Sequence, residues 1–297
     1  MARTLGVLTT ERISVGMVEG NQIIGEVLHY PERDDDDVLR SLNADALVAE
    51  VANQIQMAAP KEEVRSIGLG VPGVIRGGVI EESPNLQQLK GYNVQQALQL
   101  VLGQRGISAT VSVCNDADVM AAGIAATRGQ LDRLIRVWTL GNGIGFGRYP
   151  STEGVWEGGH SVVTLDPKET FCGCGGTGHL EGIMGHRAMR LRFLDLEPDE
   201  IFEHAQAGDA RCADFVRLWH RALAAATATN IHMEGPGKFY ITGPNAGFVN
   251  IDLLNRHMQQ MVKMSPLQGY VFEIVPGGAD IAIIGAAVNA ARAARTL

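Results

Sequence analysis

Two thiols, two imidazoles and two carboxylates fall between Glu157 and Glu181: Glu157-Gly158-Gly159-His160, then Cys172-Gly173-Cys174, then His179-Leu180-Glu181 after a glycine-rich link. Zinc takes four Cys or His ligands in a tetrahedron, and glycines let a chain fold sharply enough for two near thiols to reach one ion. His160, Cys172, Cys174 and His179 would complete a closed Cys2His2 site. A bare Cys-x-Cys is explained about as often by a tight turn or a chance pair; the flanking histidines and glycines favour metal. With no vacant ligand position, such a zinc is structural, and its part is to hold the loop that presents Glu157 and Glu181.

A second group is the run Gly141-Asn142-Gly143-Ile144-Gly145-Phe146-Gly147. Glycines let backbone N–H groups approach anionic oxygens, so the run suits phosphate, and a hairpin turn that needs glycine accounts for it equally well. The dinucleotide pattern G-x-G-x-x-G is not met, because its last glycine would fall on Phe146 or Arg148. Asn115-Asp116 could orient and deprotonate a substrate hydroxyl or simply cap a helix. The acidic run Asp34 to Asp37 reads as a solvated loop or helix start and is given no function. Cys114 and Cys212 stand alone and read as small buried hydrophobes.

These groups need elements to carry them. Arg3 to Leu8, Ile13 to Val18 and Gln22 to Leu28 are predicted strands, with Gly20-Asn21 as a two-residue hairpin turn. Asn43 should cap a helix through Leu47, Val48, Val51 and Ile55 that ends at Pro60, followed by a strand from Ser66 to Gly70. Turns around Pro72-Gly73 and Ser83-Pro84-Asn85 lead to a helix capped by Asn93, and a buried strand from Thr110 runs into Asn115-Asp116, a common site position in α/β folds. Asp118 to Thr127 reads as a helix, and Leu134 to Leu140 pairs with Ile144 to Arg148 across Gly141-Asn142-Gly143. Helices are expected over 180–193, from Pro198, over 210–232 and near 251–264. Strands are expected over 238–241 and 270–275, and an Ala-rich helix from Ile283. Strands followed by alternating helices and strands, used twice, predict two α/β lobes over a cleft, the default ligand site. The expected division is 1–119 plus 283–297 for one lobe and 120–282 for the other, which carries the cysteine loop.

At 297 residues the chain can bury a full core. Its 25 basic and 33 acidic side chains give a formal charge of −8, which opposes nucleic-acid binding. The first residues lack the apolar run of a secretory signal, and no stretch of about 18 apolar residues could span a bilayer. A cytoplasmic protein is expected, and four cysteines in that compartment direct attention to metal rather than disulfides.

Taken in order, Gly68-Leu69-Gly70-Val71-Pro72-Gly73, Ser83-Pro84-Asn85-Leu86, Asn115-Asp116-Ala117-Asp118, the run from Gly141, Glu157 to His160, the cysteine loop to Glu181, and Ile284-Gly285-Ala286-Ala287 resemble the ROK family of bacterial repressors and sugar kinases. The resemblance covers nearly the whole chain and implies the actin-like, hexokinase-like fold, built on a duplicated ribonuclease H-like unit. It implies Asp116 as general base toward a sugar hydroxyl, with Gly73, Asn115, Glu157, His160 and Glu181 completing the monosaccharide site. It implies zinc on His160, Cys172 and Cys174, Mg-ATP as phosphoryl donor, and a homodimer. Gly141, Asn142, Gly143 and Gly145 resemble the family's second phosphate loop, and Thr242-Gly243-Pro244 its adenosine-side turn.

Three departures bear on activity. His179 stands where the family usually has a third Cys, and zinc accepts imidazole. The first phosphate loop of the kinases carries an Asp, two glycines and a Thr, and Val7-Leu8-Thr9-Thr10-Glu11-Arg12 has none of them in place. Pro244 replaces a glycine in the adenosine turn and removes a donor. Two readings follow: a glucokinase-like hexose kinase with a variant phosphate loop, and a non-catalytic sugar-binding or sensing protein with a degenerate nucleotide site. A third, a transcription factor, is disfavoured because those relatives add an N-terminal helix-turn-helix and this sequence starts at its first strand.

Overall fold

The computed structural model describes residues 3–33, 36–59, 64–83, 85–151 and 157–296. Asp34 and Asp35 of the acidic run, Pro60, Pro84 and Trp156 therefore lie outside the described residues. The chain divides into two units: Met1–Ile135 with Gly147–Val155 and Gly278–Leu297, and Arg136–Phe146 with Trp156–Gly277. The first unit extends past the boundary expected after residue 119, which would cut through a helix.

In the first unit, β1 (Arg3–Thr9), β2 (Ile13–Glu19), β3 (Gln22–Tyr30), β4 (Val64–Val71) and β7 (Thr110–Asn115) form one sheet in the order β3-β2-β1-β4-β7. The meander β1-β2-β3 is antiparallel, and β1, β4 and β7 run parallel. Gly20 and Asn21, at φ 57° and 64°, make the β2–β3 turn where the sequence places it, as a hairpin needing two left-handed residues requires. Between β4 and β7 lie β5 (Val74–Arg76) and β6 (Val79–Glu82), a small hairpin that the turn-rich sequence did not announce.

Strand alternation sorts the faces. Leu5, Val7, Ile67, Leu69, Val71 and Val111 pack with α2 (Ala44–Ala58) and α3 (Val94–Gln104) in one core; α1 (Asp36–Ser41) precedes α2. Asn43 and Asn93 cap α2 and α3, each accepting from the N–H three residues on at 2.9 Å. The alternate positions meet α4 (Asp116–Thr127) and α10 (Ala279–Thr296), the latter starting four residues before Ile283. These helices pack at backbone distance: a Cβ on Gly285 would fall on the Val119 carbonyl oxygen, so only glycine fits.

The second sheet, whose β9 ends in the first unit, has β8 (Ile135–Leu140), β9 (Ile144–Tyr149), β10 (Lys238–Thr242) and β11 (Val271–Ile274) in the order β11-β10-β8-β9, with β10 parallel to both neighbours. Helices α5 (Glu181–Met184), α6 (His186–Arg192), α7 (Pro198–Gln206), α8 (Ala210–Glu234) and α9 (Ile251–Met261) build a core with this sheet around Trp138, Phe239, Trp219 and Leu254. The helix expected over 180–193 is two, because Gly185 is extended (φ −63°, ψ 143°) where it meets Asn142. Buried Arg136 donates to Asn230 Oδ1 and to the carbonyls of Gly235 and Pro236, at 2.9–3.0 Å, just where the last carbonyls of α8 need donors.

Candidate functional site

In the first unit the polar end of β7 becomes the start of α4. Asn115 caps that helix, its Oδ1 accepting from Ala117 N–H at 2.8 Å, while its Nδ2 donates to the Gly73 carbonyl at 2.9 Å. Gly73 sits at φ 120° with no room for a Cβ against the Glu82 carbonyl. Ser83 Oγ donates to the Pro72 carbonyl at 2.9 Å and accepts from Leu86 N–H at 3.2 Å. The Gly68–Gly73 and Ser83–Leu86 segments thus orient Asn115 and, through it, Asp116. Burial pushes the Asp116 carboxyl up to about 6, Ala117 N–H opposing and the Glu11 and Asp118 charges adding. Asp118 itself accepts from Arg148 N–H at 2.9 Å, which ties the end of β9 to α4.

The turn between β1 and β2 is close enough for Glu11 to act on Asp116, but its first hydroxyl is not available. Thr9 continues the alternation of Leu5 and Val7, so its side chain enters the core, 1% exposed, beside Leu47, Val51 and Leu69. Its Oγ1 has no hydrogen-bond partner among the described residues.

In the second unit the metal-type donors of His160, Cys172, Cys174 and His179 all lie within 4.8 Å of one another. Cys172 Sγ is 3.3 Å from Cys174 Sγ, which is 3.2 Å from His179 Nδ1. A tetrahedral zinc with bonds of about 2.0–2.3 Å needs separations of about 3.3–3.8 Å; the donor set matches such an ion in number and chemistry, and the two cysteine contacts lie close to that spacing. Backbone pairing brings the two halves together: Val163 N–H donates to the Gly178 carbonyl at 2.8 Å and Leu180 N–H to Ser161 at 2.9 Å. Burial raises the Cys172 thiol and lowers the His179 imidazole. Glu169 and Arg192 form a two-pronged ion pair, with the guanidinium over the Phe171 ring at 4.5 Å, anchoring the loop to α6.

Two carboxylates flank this cluster. Glu157 Oε2 lies 3.6 Å from His160 Nδ1, and burial raises the Glu157 carboxyl, His160 opposing and Glu181 adding. Glu181 Oε1 lies 3.6 Å from Cys172 Sγ and 3.9 Å from His160 Nε2, while Oε2 accepts from Ile144 N–H at 3.0 Å. Sequence reasoning did not foresee that bond, which joins the cysteine loop to the glycine run.

The glycine run is the β8–β9 turn, closed by Gly141 N–H to the Gly143 carbonyl at 3.0 Å. Neither Gly141 nor Gly143 is left-handed; a Cβ on Gly143 would stand 2.7 Å from Glu181 Oε2, so a side chain there would have to displace that carboxylate. Asn142 and Gly143 are exposed at the tip, and Gly145 lies within β9. Gly243, left-handed at φ 100°, ends β10 and starts the short turn Pro244–Phe248 beside Gly141. Asn245 and His186 also reach this turn; no motif marked either one, and only the sequence neighbour Pro244 hinted at a changed loop. Thus Gly73, Asn115 and Asp116 come together in one unit, and Glu157, His160, Glu181, the metal-type donors and Gly141, Asn142, Gly143 and Gly243 in the other.

The two units have the architecture of the actin-like sugar-kinase fold. A model of the ROK family matches residues 29–291, and the chain belongs to that family. It is 27% identical over 248 residues to a glucokinase from Pyrobaculum calidifontis, covering 78% of this chain and 80% of that protein. It superposes on the ROK hexokinase of Thermus thermophilus with a TM-score of 0.75 at 24% identity, over 99% of this chain and 100% of that one. With the ROK glucokinase of Streptomyces griseus in complex with glucose and AMPPNP the TM-score is 0.71 at 20% identity, over 98% and 99% of the two chains. Among the described residues, no helix is long and apolar enough to cross a membrane.

Proposed function

We propose that this chain is an ATP-dependent sugar kinase that phosphorylates a hexose hydroxyl, glucokinase-like, with Asp116 as general base. The observation that carries the reading is Asp116 itself: a carboxyl at the head of α4, fixed through Asn115 and Gly73, and raised to about 6, close to the working range of a base at neutral pH. The relation to a glucokinase supports the same class.

In this reading the sugar hydroxyl gives its proton to Asp116 as its oxygen bonds to the γ-phosphorus of Mg-ATP, and the bond to the bridging oxygen breaks to release ADP. Asn115, Glu157, His160 and Glu181 accept from or donate to the other hydroxyls, and an acceptor left unpaired in such a site is costly enough to discriminate among sugars. The exposed backbone of Asn142 and Gly143 and the turn at Gly243 serve the nucleotide. His160, Cys172, Cys174 and His179 would hold a zinc ion, which would supply structure by fixing the loop that aims Glu157 and Glu181. His160 has two ring nitrogens, so one can bind metal while the other faces substrate.

The second reading, a sugar-binding protein without phosphoryl transfer, is favoured by the β1–β2 turn, where Thr9 is turned into the core and Glu11 brings negative charge. Calorimetric titration with Mg-ATP and with a hexose panel, each alone and together, separates the two. Mg-ATP binding with heat of turnover on one hexose is the expected result; hexose binding with no nucleotide response would establish the second reading instead. Metal analysis of the same sample should give about one zinc per chain, and none would remove zinc from the account.

A further inference from the structure

The β8–β9 turn is held at both ends. At its exit, Ile144 N–H is taken by Glu181 Oε2. At its entry, the Gly141 carbonyl accepts twice, from His186 N–H at 3.0 Å and from Asn245 Nδ2 at 3.2 Å. Asn245 is 2% exposed, and a buried amide keeps its place only if both ends are paired. Its nitrogen is spent on Gly141, so its oxygen is the end that faces His186 Nδ1, at 3.5 Å. An imidazole with its proton on Nδ1 would donate to that oxygen. The Pro244 ring lies against Gly141, 3.5 Å from where a Cβ would stand, and Gly185 lies against the Asn142 carbonyl. Two sequence-distant segments, 181–186 and 244–245, thus close on one turn whose tip, Asn142 and Gly143, stays exposed.

We infer that Asn245 and His186 are positioning residues for nucleotide binding: they lock the Gly141 carbonyl so that the tip of the β8–β9 turn is pre-set to meet the phosphate chain of a nucleoside triphosphate. This inference rests on the kinase reading and deepens it. It also gives Pro244 a purpose. The proline that breaks the glycine pattern of the adenosine turn delivers Asn245 into the buried position from which its amide reaches Gly141, and a fixed φ stiffens that delivery. A turn already in its bound shape saves the ordering cost of binding, which matters most where the β1–β2 turn offers no glycine backbone of its own.

The test compares wild type with Asn245→Ala, Asn245→Asp, His186→Ala and His186→Gln in the full chain. Two quantities are read: amide hydrogen exchange at Gly141 and His186, whose N–H groups bond within and onto the turn, without ligand, and the calorimetric Kd values of Mg-AMP-PNP and of the preferred hexose. Asn245→Ala and Asn245→Asp should speed exchange and weaken Mg-AMP-PNP by about tenfold, the size of one lost hydrogen bond, with the hexose Kd unchanged. His186→Ala should do the same to a smaller degree, and His186→Gln, whose amide can still donate to Asn245, should restore wild-type values. Exchange that stays unchanged, or nucleotide and hexose affinities that fall together, would overturn the inference. If Asn245→Ala does not fold, His186→Ala at its half-buried position reads the same two quantities. Wild-type protein that binds no Mg-AMP-PNP overturns the kinase reading and the nucleotide role with it, whereas wild-type binding that the variants leave intact overturns this inference alone.

Discussion

Each unit starts its sheet with two sequence-adjacent strands, and the two connecting turns have gone different ways. Thr10–Arg12, between β1 and β2, closes with Thr10 N–H on the Arg12 carbonyl at 3.2 Å, and Thr9, which ends β1, is packed inward among leucines and valines. Gly141–Gly143, between β8 and β9, keeps its tip exposed and its ends tied to Glu181, His186 and Asn245. Strand alternation is the cause of the first outcome: a residue two positions after Val7 on the same strand faces the same core, whatever its side chain could do elsewhere. Close approach goes with the second: a Cβ on Gly185 would meet the Asn142 and Glu181 carbonyls, and one on Gly143 would press on the Glu181 carboxylate. The first turn thus buries its Thr9 hydroxyl and bears on its neighbour through charge, that of Glu11 on Asp116.

The largest effect expected is that of Asp116→Asn. Removing the base should lower phosphoryl transfer by roughly 10²–10⁴-fold, measured as sugar-dependent ADP release. Stability should move the other way. The carboxyl titrates at 3.8 when unperturbed and at about 6 in the fold, so the folded state holds this proton more tightly. The associated stability is complete below 3.8 and is lost as pH rises through about 6. At pH 7 the ionised group is a net cost, and Asp116→Asn should melt higher than wild type there by roughly 2 °C or more, with the gap narrowing toward pH 4. A variant that melts lower at pH 7 would contradict the raised carboxyl.

A smaller effect is expected from Glu11→Gln. The acid limb of the wild-type rate profile should fall as pH drops through about 6, as Asp116 is protonated. Taking away the Glu11 charge should move that limb to lower pH, and a limb that does not move would mean that the first turn has no hold on the base. The smallest effect is that of Thr9→Val. The hydroxyl is buried and unpartnered, so an isosteric methyl should leave stability unchanged or raise it by about 1 kcal/mol, with KM for ATP unaltered. A marked rise in that KM would put Thr9 back among the phosphate ligands and erase the contrast between the two turns.

Much of this was legible beforehand because its signals are local. Asn43, Asn93 and Asn115 cap helices through atoms three residues away or fewer, and Gly20-Asn21 specifies its own turn. The four metal-type donors lie within one short stretch, so their convergence needs only a folded loop. The split of 180–193 at Gly185 was not legible, because what bends the chain there is the turn at Asn142, distant in sequence. Nor was the hairpin of β5 and β6, whose strands are only three and four residues long and lack a clear alternation.

The sequence by itself determined the family, the two-unit α/β plan and the residue types at the candidate site, since periodicity, caps and ordered motifs are written along the chain. Tertiary structure alone decided which groups are free to act. Packing against α2 and α3 took Thr9 out of reach of any ligand. Burial together with a charge from another turn raised Asp116. Hydrogen bonds spanning 37 and 104 positions of sequence tied Glu181 and Asn245 to the ends of one turn. Burial, field and long-range pairing depend on distances in space, which no local pattern of residues encodes.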